Sequence, residues 1–123
     1  MPECWEGLVT AMKQIVKLPI TTGGKEETLP VAEEQWNTRP DIKSYGIISF
    51  DYEANALNGD SLKLDRAYEG SFDLYSYDKT GDGWIELIEQ KLAEFCGSCW
   101  SLNSHQRETE TSLHHWEWIF QVR

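Results

Sequence analysis

The chain has 123 residues, 40% of them hydrophobic and 12% aromatic, with 21 acids against 11 bases and a net charge of −10. That composition is too apolar and aromatic for a disordered chain, and the length suits one domain. The bases stand singly, which speaks against a phosphate-neutralising nucleic-acid surface and against attraction to anionic membranes.

Cys4 to Lys17 reads as a helix, because Trp5, Leu8, Val9, Met12, Ile15 and Val16 recur at the spacing of one apolar stripe. Glu3, Glu6, Lys13 and Lys17 fall within that pattern, so the segment reads as part of the fold and not as a secretory leader. No apolar run approaches the roughly 20 residues of a membrane helix, and a soluble protein made in a reducing cytoplasm is expected. Pro19 ends the helix, and 19–44, with Gly23-Gly24, Pro30 and Pro40, reads as a long loop.

Tyr45 to Tyr52 is rich in β-branched and aromatic residues and reads as a strand. A turn cluster over Glu53 to Ser61 leads into a second extended run, Leu64 to Tyr77, in which Phe72, Leu74 and Ser76 alternate with Asp73, Tyr75 and Tyr77. Together they suit a β-hairpin over 45–77, with Gly70 as the place for a bulge. A helix over 83–96 follows, carrying Trp84, Ile85, Ile88, Leu92, Phe95 and Cys96 on one face. Asp82 is placed to cap its start and Gly97 its end. A second hairpin over 98–122 closes the chain, and in its last strand His114, Trp116, Trp118, Phe120 and Val122 share a face. The expected fold is a single α+β domain over 1–123. Its sheet has about four antiparallel strands, packed by the N-terminal helix and by the helix between the two strand pairs.

Three motifs carry candidate chemistry. Asp78, Thr80, Asp82, the Trp84 carbonyl, Glu86 and Glu89 fall at the ligand spacing of an EF-hand calcium loop, with Gly83 at the sixth position. The segment before them alternates like a strand where an EF-hand needs an entering helix, and no second loop accompanies it. A strand-to-helix turn is therefore the plainer reading, and a calcium-binding module the alternative. Cys96-Gly-Ser-Cys99 closes a helix, so it lacks the N-terminal dipole that activates redox cysteines and reads as a pair of buried structural thiols. His105, His114 and His115 read as ordinary strand histidines. Without a recognisable nucleophile or phosphate-cradling loop, no enzyme, metal or cofactor is expected.

Several strings of the chain have a texture in common with one family: Glu69 to Asp78, Cys99 to Gln106, Glu110-Thr-Ser and His114 to Val122, with Trp36, Pro40 and Tyr45 to Phe50 upstream. In these segments and in the order of its elements the chain resembles the tail-terminator or tail-completion proteins of long-tailed bacteriophages and prophages. The resemblance implies a virion structural protein that forms a ring, usually a hexamer, on the end of the tail tube. Its partners would be copies of itself, the tube protein and a head-completion protein, with no cofactor. An acidic lumen would let DNA pass without sticking. The family varies widely in sequence, so interface positions are taken from expected exposure instead: Trp36, Arg39, Tyr52 and Tyr75.

Overall fold

The computed structural model describes residues 3–17, 26–34, 43–57, 63–107 and 113–122, with residue 3 and the outer hairpin positions 52–57 and 63–67 described as backbone alone. The elements are α1 (Glu3–Lys13), β1 (Val16–Lys17), β2 (Glu27–Thr28), β3 (Val31–Glu33), β4 (Ser44–Leu57), β5 (Lys63–Ser76), a 3₁₀ turn (Gly81–Gly83), α2 (Trp84–Cys96), β6 (Trp100–Arg107) and β7 (His114–Val122). The α+β class is as expected. Neither helix is long and apolar enough to cross a membrane.

The sheet departs from the expected one. It has five strands in the order β3-β4-β5-β7-β6, and β3 runs parallel to β4 while every other pairing is antiparallel. The additional strand comes from the segment expected to be loop. Three residues between Pro30 and Glu34 are too few to show alternation, and tertiary hydrogen bonds hold them. Gly46 N–H donates to the Pro30 carbonyl at 2.8 Å, and Glu34 N–H donates to the Ile48 carbonyl at 2.9 Å.

The first helix is shorter than its apolar stripe. It stops at Lys13, and Val16–Lys17 pairs with Glu27–Thr28 as a separate two-stranded ribbon. Ile15 and Val16 are β-branched, and such residues lose side-chain freedom in a helix and favour extended backbone. Ile15, between the helix and this strand, stays buried, while Val16 and Lys17 are half-buried.

Both helices lie on one face of the sheet. Alternation along β5 and β7 puts Phe72, Leu74, Trp116, Trp118 and Phe120 against Trp5, Leu8 and Met12 of α1 and Trp84, Ile88 and Leu92 of α2, and all of them are buried. Each such side chain contributes about 1.5–3 kcal/mol when fully removed from water. The Trp5 ring of α1 lies over Gly70. A Cβ there would meet the Ser49 carbonyl oxygen at 2.5 Å and the Trp5 ring at 2.5 Å. The bulge foreseen at Gly70 falls on the facing strand, where the register shifts between Phe50 and Tyr52 and Asp51 is the extra residue.

Candidate functional site

Among the described residues β3 and β6 are the two edge strands of the sheet, and the helices leave its other face without a helix. β6 pairs only with β7. Gln121 N–H donates to the Cys99 carbonyl at 2.8 Å, so Cys99 turns its backbone toward β7. Antiparallel alternation then turns the N–H and C=O of Leu102 outward. Ser101, Leu102 and Asn103 are exposed, with Leu102 at 45%, and no Lys, Arg, Asp or Glu interrupts the strand before Arg107. Such an edge is a template for another strand, and monomeric proteins usually blunt theirs with lysine or proline.

The one irregularity of the edge lies at Asn103, where the register shifts between Leu102 and Ser104. Its amide donates to the Glu117 carboxylate at 2.7 Å. The shift reverses the facing of the residues beyond it, so His105 pairs with Trp116 and lies on the helix side of the sheet. There its ring stacks on Trp116 with centroids 4.3 Å apart, and its Nε2 is 3.0 Å from Nδ1 of His114.

The opposite face carries a ladder of rings. Tyr45 stacks on Tyr75 at 5.1 Å, and Tyr75 stacks on His115 at 4.3 Å. His115 Nε2 is 2.6 Å from a carboxylate oxygen of Asp73, which fixes the ring on the sheet. Toward the far end of this face an open depression of about 450 Å³ is lined by Asp51, Glu69, Cys99, Ser101, Ile119 and Gln121 among others. Burial, then the surrounding acids Glu117, Glu34, Glu69 and Asp73, pushes the Asp51 carboxyl above its usual range. Ile119 is 44% exposed in the middle of this acidic surround.

The expected interface positions fare differently. Trp36 and Arg39 lie outside the described residues. Tyr52 sits in β4 opposite Glu69, and only its backbone is described. Tyr75 is half-buried, sandwiched between Tyr45 and His115. Its ring is thus already committed to packing within the subunit.

Most of the acids of the EF-hand-like spacing have partners of their own. Asp78 accepts hydrogen bonds from the Thr80 N–H at 2.8 Å and the Thr80 hydroxyl at 2.5 Å, an Asx turn. The Thr80 hydroxyl is the main reason that the Asp78 carboxyl lies below its usual range. Lys43 reaches Asp82 at 3.2 Å and Asp78 at 3.6 Å, and Lys17 reaches the other Asp82 oxygen at 3.3 Å. Its hydrogen bond to Asp82 raises the Lys43 ammonium above its ordinary value. Asp82 therefore holds two lysines, and it does not cap α2 as expected: the N-cap is Gly83, with no side-chain hydrogen bond. Glu89 accepts the indole N–H of the fully buried Trp118 at 2.9 Å, and Glu86 is exposed. The chain enters this loop from β5, not from a helix. Among the described residues no three His, Cys, Asp or Glu side chains converge as metal ligands.

The C-x-x-C is asymmetric, a correction to the expected buried pair. Cys96 is buried and its thiol is pushed up to about 12, chiefly by burial, whereas Cys99 is exposed. A turn joins them, with Cys99 N–H donating to the Cys96 carbonyl at 2.9 Å. Gly97 between them closes α2, its N–H donating to the Ala93 carbonyl at 3.0 Å, in the role expected of it.

Compared with known families and curated proteins, the sequence matches no family model and no curated sequence.

Proposed function

We propose that this chain is a structural subunit that assembles with copies of itself, in the manner of a phage or prophage tail-terminator ring. The observation that carries the proposal is the outer edge of β6, an eight-residue strand with exposed side chains and no charged residue before Arg107. The two ends of the described sheet also differ, with short parallel β3 on one side and long antiparallel β6 on the other. A closed ring of identical subunits needs two unlike, complementary surfaces on each copy, and an exposed strand edge supplies one of them. The tail tube and a head-completion protein would then meet the two rims of the ring, placing the chain in the virion tail. The reading involves no catalysis and no cofactor.

The calcium alternative has less support. Lys17 and Lys43 already neutralise Asp82 and Asp78, and Glu89 is engaged by Trp118.

Native mass by light scattering at high protein concentration tests the proposal. The expected result is a closed oligomer, about six subunits for a terminator-like ring, with the same mass in calcium and in chelator. Leu102→Lys places a charge on the outer edge of β6 and is expected to shift the chain toward monomer while the circular dichroism spectrum stays unchanged. A monomer under all conditions argues against self-assembly. An oligomer indifferent to Leu102→Lys moves the interface away from β6.

A further inference from the structure

We infer that His105 and His114 form an acid-sensitive latch, which seats the far end of β6 on β7 at neutral pH and releases it when both rings are protonated. The latch concerns a local opening within one chain, so it stands or falls apart from the assembly reading. His105 Nε2 and His114 Nδ1 face each other at 3.0 Å. A hydrogen bond between them needs a proton on one nitrogen and a lone pair on the other. The neutral pair has both. The pair with one extra proton has both as well, and its charge-assisted bond is the stronger one. A second extra proton removes the last lone pair between the rings and sets two cations against each other.

The latch acts on an end of the sheet with few other holds. Beyond the bulge at Asn103, residues 104–107 pair with 114–117, and among the described residues β6 has no neighbour on its other side. Trp116 lies under both rings, with centroids 4.3 Å from His105 and 5.7 Å from His114. The closed pair thus covers an indole that is buried. The two histidines share this face only because the bulge turns His105 over. Such ends open locally at a lower cost than global unfolding.

The surroundings discourage the second proton. A crevice of about 390 Å³ beside His114 is lined also by Tyr77, Lys79 and Arg107. From β5, uncharged Ser76 stands opposite His114 and is hydrogen-bonded to Ser44. From α2, Glu89 reaches this face farther along β7, where it accepts the Trp118 indole N–H at 2.9 Å. Glu108 and Glu110, between β6 and β7, lie outside the described residues. Desolvation, and then the proximity of His114, lowers the His105 pKa from its ordinary value. A base that protonates less readily in the closed strand than in the open one costs the closed state nothing well above about pH 6.5. The cost grows as pH falls below that value and is complete once the closed form is itself protonated.

Amide hydrogen exchange of the full chain, followed by NMR and expressed as protection factors, tests the inference. For the amides of 104–107 that bond to β7, protection is expected to fall roughly five- to ten-fold from about pH 7.5 to about pH 5, the effect of a one-unit difference in proton affinity. Amides in the middle of the β4–β5 pairing should keep theirs. His105→Gln, which stays polar but takes up no proton, should remove the pH dependence. His115→Asn, on the opposite face, should leave it intact. Should the glutamine variant fold poorly, ring-proton titration of the unaltered chain serves instead: His105 and His114 should titrate in two separated steps, the lower one below about 6.5. Protection that ignores pH, a dependence that survives His105→Gln, or an equal loss across β4 and β5 overturns the proposal. Two independent titrations near the ordinary imidazole value overturn it as well.

Discussion

At the scale of single residues, Asp51 shows how a bulge creates an electrostatic liability. As the extra residue of β4 it sits among Glu34, Glu69, Asp73 and Glu117, and burial together with these acids raises its carboxyl above the usual range. An acid with a higher pKa folded than unfolded opposes folding whenever it is ionised. The penalty is absent below the ordinary carboxylate value of about 3.9, grows as pH rises through the folded value, and is complete above it. Asp51→Asn is therefore expected to raise the melting temperature at pH 7 and to have no effect near about pH 3, where both states are protonated. Thermal melts of both proteins at the two pH values decide it. An equal gain at both would assign the effect to packing, and a loss at pH 7 would mean that the carboxylate makes a favourable contact. The same acids also face any molecule approaching the open face, so relieving one of them is relevant to docking as well as to stability.

At the scale of elements, the docking of α1 on the sheet depends on Gly70. The ring of Trp5 lies over it, in a stack with Phe120 at 5.8 Å and edge-on to Phe50 at 5.2 Å. An added Cβ would strike this ring on one side and the Ser49 carbonyl oxygen on the other. Gly70→Ala is expected to cost about 1–3 kcal/mol in urea denaturation, the range of overpacked cores. Trp5→Leu removes only the ring contact, so in that background the same substitution should cost less but still destabilise, because the backbone contact persists. Full additivity of the two substitutions would show that the ring is not what crowds Gly70. The sequence displays the glycine and the tryptophan but not their meeting, which is a tertiary event. The legible features were the periodic ones: the apolar stripes of α1 and α2, the alternation of β5 and β7, and Gly97 at the end of α2. The residues that escaped were those governed by distant partners. Val31 to Glu33 is a strand because β4 accepts it, and Val16 leaves the helical stripe to pair with Thr28. The bulge at Asn103 was beyond reach for a related reason. Strict alternation from Trp100 sends His105 to the open face, and one unpaired residue sends it to Trp116 and His114 instead. The meeting of His105 with His114 was thus hidden by a single shift in register, while the conspicuous calcium-like spacing had its aspartates engaged by lysines from elsewhere in the chain.

At the scale of the molecule, net charge and edge character make separable demands on assembly. Each copy carries −10, so bringing copies together costs electrostatic repulsion that extends over a Debye length. That length falls from about 30 Å at 0.01 M salt to about 3 Å at 1 M. Contacts made by the β6 edge would consist of backbone hydrogen bonds and the apolar side chain of Leu102, neither of which is weakened in this way by salt. Repulsion is then the main salt-sensitive contribution, and it opposes association. Native mass is accordingly expected to rise with sodium chloride between about 0.05 and 0.5 M, at fixed protein concentration and without divalent cations. Leu102→Lys should remain the smaller species across the whole series, since salt relieves the general repulsion and leaves the lysine on the strand edge. A mass that falls with salt would mean that copies are held by ion pairs, and β6, which carries no charge before Arg107, could not be the surface that joins them.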